Sequence, residues 1–198
     1  MKRLLVLIMT SVLGACSTPG PLPPVSDAGQ AWERHSQRMS AIDEWDIEGR
    51  IAIRSYDDAV NANLRWQQEG DRYRILLSGP FGQGAVSLRG EPGIVRLQTN
   101  EEDAVADNAE TLLYQYTGLL VPIESLKYWI RGLPEPQQAG RQTLDPQGRL
   151  AGLQQDRWKV RFRAYNQVDG HQMPVKVFVD NHQLSVRIVI DKWSLPAS

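Results

Sequence analysis

The stretch Asp46–Ile53, DIEGRIAI, alternates apolar and polar side chains with a period of two. Its three isoleucines share one face, while Glu48 and Arg50 lie on the other. This period is typical of a β-strand with one face buried and one face in water, because successive side chains of a strand point in opposite directions. We therefore predict a strand here and expect further strands of the same pattern to pair with it.

The same alternation returns before and after a central interruption in the chain. Compact turns separate the runs, such as Glu91-Pro92-Gly93, which suits a type II turn. About ten or eleven consecutive strands, each apolar on one face and charged on the other, indicate one highly curved antiparallel sheet. Such a sheet can close into a barrel or wrap around something, and a closed barrel of about ten strands keeps space inside. The apolar faces of the runs are Ala62-Leu64-Trp66, Tyr73-Ile75-Leu77, Val86-Leu88, Val95-Leu97, Trp158–Ala164, Val175–Val179 and Leu184–Ile190.

Two short helices are predicted in the central interruption. Asp107-Asn108-Ala109-Glu110 resembles a capping box and starts the first helix, which Gly118 ends. The second helix follows Pro122 and ends at Gly132 and Pro134. The apolar faces of both helices need a partner, and only the inner face of the sheet is large enough, so we expect them to form a lid or a plug. A further helix is predicted from residue 26 to about residue 42.

The N-terminus has the features of a bacterial lipoprotein signal. Lys2 and Arg3 precede the apolar run LLVLIMTSVLGA, which is too short to span a bilayer comfortably. This run leads into Leu13-Gly14-Ala15-Cys16, which resembles a lipobox, so acylation is predicted at Cys16, the only cysteine. An ordinary secretory signal followed by an incidental cysteine is the alternative. The expected organisation is a signal peptide at 1–15, the acylated cysteine with a proline-rich tether at 16–25, and one domain at 26–198.

The predicted anchor decides the expected location of the protein. Three acyl chains exceed the two membrane signals that stable anchoring requires. The residue after the acylated cysteine is Ser17 rather than the Asp that favours inner-membrane retention of lipoproteins, so we expect the periplasmic face of the outer membrane. Without residues 1–15 the chain has 20 Lys and Arg against 23 Asp and Glu, a formal charge of −3. This balance provides no electrostatic basis for binding nucleic acid.

No catalytic or metal-binding pattern is found in the sequence. The three histidines, His35, His171 and His182, are not spaced as metal ligands, and neither a Gly-x-Ser-x-Gly nor a His-Glu-x-x-His motif occurs. The stretch Gly82–Ser87 superficially resembles a phosphate loop, but a strand rather than a helix is expected after it. A lipid-modifying hydrolase would need a nucleophile beside a histidine, which these positions do not supply. We therefore predict a protein that is not an enzyme and needs no cofactor or metal.

Several strings along the chain combine into a recognisable pattern. Together with the lipobox and the tether, they resemble the LolB family of outer-membrane lipoprotein receptors, over essentially the whole mature chain. The strings DRYR and WIRGLP are the most specific parts of this resemblance. The full set is DIEGRIAI at 46–53, LRWQQ at 64–68, DRYRILL at 71–77, GPFG at 79–82 and YWIRGLP at 128–134.

The resemblance implies a mainly β (α+β) fold, an incomplete, half-open β-barrel of about 10–11 strands with helices as a lid over an apolar cavity. It implies a receptor that takes acylated lipoproteins from the periplasmic carrier LolA, holds their acyl chains in the cavity and inserts them into the inner leaflet of the outer membrane. No nucleotide or metal takes part, and we expect a monomer. The alternative is an envelope lipoprotein that binds phospholipid or glycolipid as a scaffold or assembly factor.

The apolar faces of the strands and helices supply the residues expected to line this cavity. For each residue alone, an ordinary core position is the alternative, and the set carries more weight than any member. The expected lining residues are Ile51, Ile53, Leu64, Trp66, Ile75, Leu77, Val86, Leu88, Leu112, Leu113, Tyr116, Trp129, Ile130, Val177, Val186 and Ile188.

The loop SGPFGQG at 78–84 places Phe81 between Pro80 and Gly82. The resemblance implies a protruding loop here, whose apolar tip enters the membrane during release of cargo. The neighbours of Phe81 offer little side-chain surface against which the ring could be buried. We therefore expect Pro80, Phe81 and Gly82 to contact membrane or cargo, with a loop folded back into the core as the alternative.

Overall fold

The order of helices and strands follows the predicted sequence of β-strands with a central helical interruption. A computed structural model describes residues 24–79 and 84–196 of the chain. Cys16, Pro80, Phe81 and Gly82 therefore lie outside the described residues. The elements in chain order are α1 Ala28–Ser40, β1 Glu44–Arg54, β2 Ala59–Glu69, β3 Arg72–Ser78, β4 Val86–Glu91, β5 Ile94–Gln98, β6 Asp103–Ala106, α2 Ala109–Thr117, α3 Ile123–Trp129, β7 Gly140–Leu144, β8 Leu150–Gln155, β9 Trp158–Val168, β10 His171–Asp180 and β11 Ser185–Ser194.

The strands form one antiparallel sheet that does not close on itself. Within the described part of the chain, the sheet has eleven strands in the order β6-β5-β4-β3-β2-β1-β11-β10-β9-β8-β7. The first and last strands pair with each other at the centre, whereas β6 and β7 form two separate edges. The half-open barrel expected from the resemblance is confirmed, and the closed barrel, which the strand pattern alone left possible, is not formed.

The concave face of the sheet is built from apolar side chains that meet across neighbouring strands. Ile51 lies opposite Ala62 on one side and Ile188 on the other, and Val177 continues this row. Trp66 lies between Ile47 and Ile75 in the same way. Such cross-strand pairs stabilise a sheet, because directly opposed side chains on one face are in contact. The alternation seen in DIEGRIAI therefore corresponds to an apolar concave face and a charged convex face.

Gly49 allows β1 and β11 to approach closely at an irregularity in the sheet. The register between the two strands shifts between Glu48 and Gly49. A Cβ atom at position 49 would lie 2.1 Å from the carbonyl oxygen of Val189, which is a steric clash. The glycine in DIEGRIAI is thus required by a bulge, which increases the local twist of the strands.

The helices begin and end close to the residues that the sequence indicates. Asn108 is the N-cap of α2 and accepts a hydrogen bond from the amide of Thr111, and Gly118 ends this helix in the left-handed conformation. The helix α1 packs on the turn between β7 and β8, where a Cβ atom at Gly148 would lie 2.5 Å from Ala31 Cβ. No helix of the described residues is long and apolar enough to cross a membrane.

Candidate functional site

The apolar concave face and the two helices that follow β6 form the candidate site. The structure places eleven of the sixteen expected lining residues on the concave face, in cross-strand rows such as Ile53 with Val186 and Leu77 with Val86. The other five are on α2, on α3 or, for Ile130, at the C-terminal cap of α3. The sheet and its helical cover therefore bring together residues that are more than 100 positions apart in the sequence.

The depth of burial divides these sixteen residues into a buried group, a partly exposed group and one exposed residue. Eleven are almost entirely buried in the core that the sheet shares with its helices. Four more are partly exposed, and Tyr116 is 42% exposed. The second group is accessible from solvent, whereas the first would become accessible only if the cover moved. The buried group is Ile51, Leu64, Trp66, Ile75, Leu88, Leu112, Trp129, Ile130, Val177, Val186 and Ile188; the partly exposed group is Ile53, Leu77, Val86 and Leu113.

The partly exposed residues of the sheet lie at one end of it, which we call the mouth. Ile53 is next to the end of β1, while Leu77 and Val86 border the connection between β3 and β4. Val60, directly opposite Ile53, is 44% exposed and was not among the expected lining residues. The alternation of Ala62, Leu64 and Trp66 extends back to Val60, so the signal was present in the sequence.

The helix α3 is fixed to the sheet by a buried hydrogen-bond network around Gln155. The indole Nε1 of Trp129 donates to Gln155 Oε1 at 2.8 Å, and the amide of Glu135 donates to the same oxygen at 2.9 Å. Gln155 Nε2 in turn donates to the carbonyl oxygens of Glu135 and Gln138, at 2.9 and 2.7 Å. Gln155 is 1% exposed and its bond to Trp129 is buried, so loss of Gln155 would leave the indole donor without a partner in the core.

A buried arginine fixes the other side of α3. Arg131, immediately after the C-cap of the helix, is 7% exposed, and its guanidinium donates to the carbonyl oxygens of Met39 and Ile42 at the end of α1. It also donates to the carbonyl oxygen of Lys127 at 3.1 Å. Burial lowers the pKa of Arg131, although the group keeps its charge because its ordinary value is so high. Arg131 within the string WIRGLP thus joins α1, α3 and the following turn.

The helix α2 is held much less firmly than α3. It packs on β5 and β6 at the edge of the sheet through Ala109 and Leu112, which are buried. In the described part of the chain, one side-chain hydrogen bond connects α2 to another element, from the amide of Glu124 to Glu110 Oε1 at 3.3 Å. Beyond it, Leu120 is 55% exposed. The covering element that can move without breaking a buried polar network is therefore α2.

Tyr73 places a polar group on the concave face near both helices. Its ring covers Gly90, where a Cβ atom would lie 2.2 Å from the ring carbons. Within the described residues its hydroxyl has no hydrogen-bond partner. Burial raises the pKa of Tyr73, and the nearby carboxylates of Glu124 and Glu110 raise it further, so the hydroxyl stays protonated.

Three tryptophans fill the space between β1, β2 and β11. Trp45 lies 5.3 Å from Trp66 and 5.6 Å from Trp193, measured between ring centroids. The indole of Trp66 donates to Gln68 Oε1, and that of Trp193 donates to the carbonyl oxygen of Pro174. All three rings are buried, and the indoles of Trp66 and Trp193 are hydrogen-bonded, so the three tryptophans pack as one cluster on this part of the concave face.

The unclosed sheet and its helical cover place the chain in the structural class of open β-barrel proteins. A solved structure described as a LolA superfamily protein, from Nitrosomonas europaea, has a similar fold, with a TM-score of 0.56 over 88% of this chain and 96% of that chain. The two sequences are 6% identical, so this likeness concerns the fold alone.

Sequence comparison identifies the family within this class. The family model for outer membrane lipoprotein LolB matches residues 43–193. The outer-membrane lipoprotein LolB of Chromohalobacter salexigens is 35% identical over 189 residues, which cover 96% of this chain and 88% of the relative. That of Ectopseudomonas mendocina is 37% identical over 180 residues, covering 89% of this chain and 88% of the relative. The chain therefore belongs to the outer membrane lipoprotein LolB family, which confirms the family predicted from its strings.

Proposed function

We propose that this protein is an outer-membrane receptor that accepts acylated lipoproteins from a periplasmic carrier of the LolA type and inserts them into the outer membrane. The observation that carries the proposal is the apolar concave face, which is partly exposed at the mouth and covered on one side by a weakly held helix. Membership of the outer membrane lipoprotein LolB family supports the same function. No catalytic step is part of it, and the protein acts as a monomer.

The physical task of such a receptor is to keep acyl chains out of water. Each methylene group transferred from water to an apolar environment contributes about 0.8 kcal/mol, so a long acyl chain left in water costs roughly 10 kcal/mol. Transfer without an energy source then requires that the receptor bind the chain better than the carrier does, and that the membrane hold it better still. Apolar contacts that do not depend on specific polar groups suit a receptor that binds many different lipoproteins.

Entry of an acyl chain follows from the difference between the two covering helices. The chain first contacts the mouth, at Ile53, Leu77 and Val86. It then displaces α2, which exposes buried lining residues such as Leu88 and Leu112, while α3 stays attached through Gln155 and Arg131. Separation of α2 from the sheet exposes apolar surface on both, and the acyl chain covers this surface again. Replacing the contact between helix and sheet by contacts with the acyl chain is therefore close to balanced in free energy.

The anchor and the loop complete the proposal, and both involve residues outside those that the structure describes. Residues 1–15 act as a signal peptide, Cys16 carries the acyl chains, and residues up to about 25 tether the domain to the periplasmic face of the outer membrane. Phe81, flanked by Pro80 and Gly82, contacts the membrane or the cargo during release. Phe81→Glu should leave cargo acceptance intact and block delivery, and normal delivery by this variant would contradict the role.

A transfer assay tests the function itself. Purified carrier is loaded with an acylated lipoprotein and mixed with the full-length chain carrying Cys16→Ala, and the cargo is followed by co-purification. Cargo that moves to this protein supports the receptor function. Cargo that stays on a carrier shown to be competent with another acceptor would contradict it.

A pair of substitutions on one strand tests the site. Leu77→Glu places a charge at the mouth on the concave face and should reduce cargo binding at least roughly tenfold, because an acyl chain cannot solvate a carboxylate. Leu76→Glu is the matched control, since Leu76 is the preceding residue of β3 and lies on the convex face. Equal loss in both variants would indicate a general effect on the strand and would contradict the assignment of the mouth.

A further inference from the structure

Three arginines stand side by side on the convex face of the sheet. The register places Arg74 of β3 opposite Arg89 of β4, and Arg89 opposite Arg96 of β5. All three side chains are exposed. Neighbouring strands are about 4.8 Å apart, so the three residues form a line roughly 10 Å long. We call this group the arginine row.

The arginine row has no direct ionic partner among the described residues, although the carboxylates of Glu91 and Asp103 line the same surface pockets. Across residues 24–79 and 84–196, its guanidinium groups form no ion pair and no hydrogen bond with a side chain or with the backbone. Other arginines of the convex face do have partners, such as Arg50 with Asp191 at 2.9 Å and Arg161 with Asp180 at 2.6 Å.

This arrangement costs stability unless something outside the chain offsets the charge. Like charges directly opposite each other on neighbouring strands are destabilising. The neighbouring Arg72 lies opposite Glu69 and is not counted with the row. The chain as a whole carries a formal charge of −1, so the row is a local concentration of positive charge and not part of a generally basic surface.

The surroundings of the row fit an extended anionic surface better than one small anion. The row runs to the edge of the sheet, where Val105 lies opposite Arg96 and is 55% exposed. Arg74 and Arg89 line one open surface pocket, and Arg89 and Arg96 line a second, so one phosphate could not contact all three. An array of phosphates in a plane can, because each flexible guanidinium can bind a different phosphate in the bidentate geometry.

We propose that the arginine row and Val105 bind the anionic headgroups of phospholipids, so that the convex face at β3–β6 lies on the membrane surface. The inference rests on the proposed function only in placing the protein next to a bilayer, where headgroups are at high local concentration. Arginines near an anionic surface add a second attachment to that of a lipid anchor. An acidic protein surface is the alternative partner, and the experiment below distinguishes the two.

The test compares two triple variants with the same change in charge. The row variant carries Arg74→Gln, Arg89→Gln and Arg96→Gln. The control carries Arg34→Gln, Arg54→Gln and Arg141→Gln, which are also exposed and in no ion pair within the described residues. Both are made in the full-length chain with Cys16→Ala, so residues 1–15 contribute equally. Flotation is measured with phosphatidylcholine vesicles and with vesicles that also contain phosphatidylglycerol, at low and at high salt.

We expect the row variant to lose roughly 100-fold in partitioning to the anionic vesicles at low salt, because each arginine near such a surface contributes about 1 kcal/mol. The control should lose much less, and high salt should abolish the difference. A third variant with lysine at all three row positions should keep most of the binding, and a loss equal to that of the glutamine variant would contradict charge as the cause.

Two results would overturn the inference. One is equal vesicle binding by the row variant and the control. The other is unchanged vesicle binding together with loss of binding to purified LolA-type carrier, which would assign the row to an acidic protein. Because the vesicle assay contains neither cargo nor carrier, its failure is distinguishable from failure of the proposed receptor function.

Discussion

The hydrogen-bond network around Gln155 leads to a quantitative prediction about the attachment of α3. Gln155→Leu keeps the approximate volume of the side chain and removes all four of its hydrogen bonds. Two donors, the indole of Trp129 and the amide of Glu135, then lose their partner, as does the carbonyl oxygen of Gln138, whereas the carbonyl oxygen of Glu135 keeps the amide of Gln138 at 3.3 Å. A buried polar group without its partner costs about 1–3 kcal/mol, and the leucine recovers part of this through apolar burial. We therefore expect the free energy of unfolding to fall by about 3–5 kcal/mol.

Urea unfolding measures this loss directly. The midpoint should shift to lower urea concentration with an unchanged slope, because the substitution alters stability and not the surface exposed on unfolding. Gln154→Leu is the matched control, since Gln154 is the preceding residue of β8 and is exposed, and its effect should stay within about 0.5 kcal/mol. If Gln155→Leu were as mild as the control, the network would not hold α3, and the argument that α2 is the mobile cover would fail.

Three further predictions concern a buried histidine, a buried hydroxyl and a close backbone contact. Burial, and after it the charges of nearby arginines, lowers the pKa of His35 from 6.5 to about 4. The uncharged histidine therefore stabilises the fold fully above pH 6.5, and this stabilisation is lost as the pH falls towards 4. The loss in the free energy of unfolding is about 3 kcal/mol. Urea unfolding between pH 7.5 and 4 should show a shallower loss for His35→Gln than for wild type, and an equally steep loss would contradict the role of His35. Tyr73→Phe removes a buried hydroxyl without a partner among the described residues and should leave the melting temperature unchanged or higher; a clear decrease would show that the hydroxyl is satisfied. Gly49→Ala should cost about 2–4 kcal/mol in chemical unfolding because the new methyl group meets backbone, and Gly152→Ala, where the nearest atom is 3.8 Å away, should cost far less.

The periodicity of DIEGRIAI and of the later runs was enough to predict most of the strands and the face of each that is buried, but not the short edge strand β6. Alternation with a period of two is a local property, so it can be read without knowing which strands pair. The capping residue Asn108 and the stop at Gly118 likewise act within one turn of helix, and α2 has both. The family was also predicted correctly from short strings, because a string of adjacent residues can be recognised without knowing the fold.

It was harder to predict which residues of the site are accessible than which residues belong to the site. Trp129 and Tyr116 look alike as apolar residues on helical faces, yet the first is completely buried and the second is 42% exposed. What separates them is Gln155, a polar residue 26 positions after Trp129 that fixes the indole in place. Nothing in the local sequence around Gln155 marks it as the centre of a network, since its three partner residues lie on other segments.

The sequence by itself determined most of the strands, their apolar faces, the approximate positions of the helices and the family. Tertiary structure alone decided that β6 and β7 remain unpaired edges, that α3 is fixed while α2 is not, and that Arg74, Arg89 and Arg96 stand in one row. The physical reason is that a face follows from the spacing of neighbouring residues, whereas an edge, a buried network or a row across strands depends on the register between segments far apart in the chain.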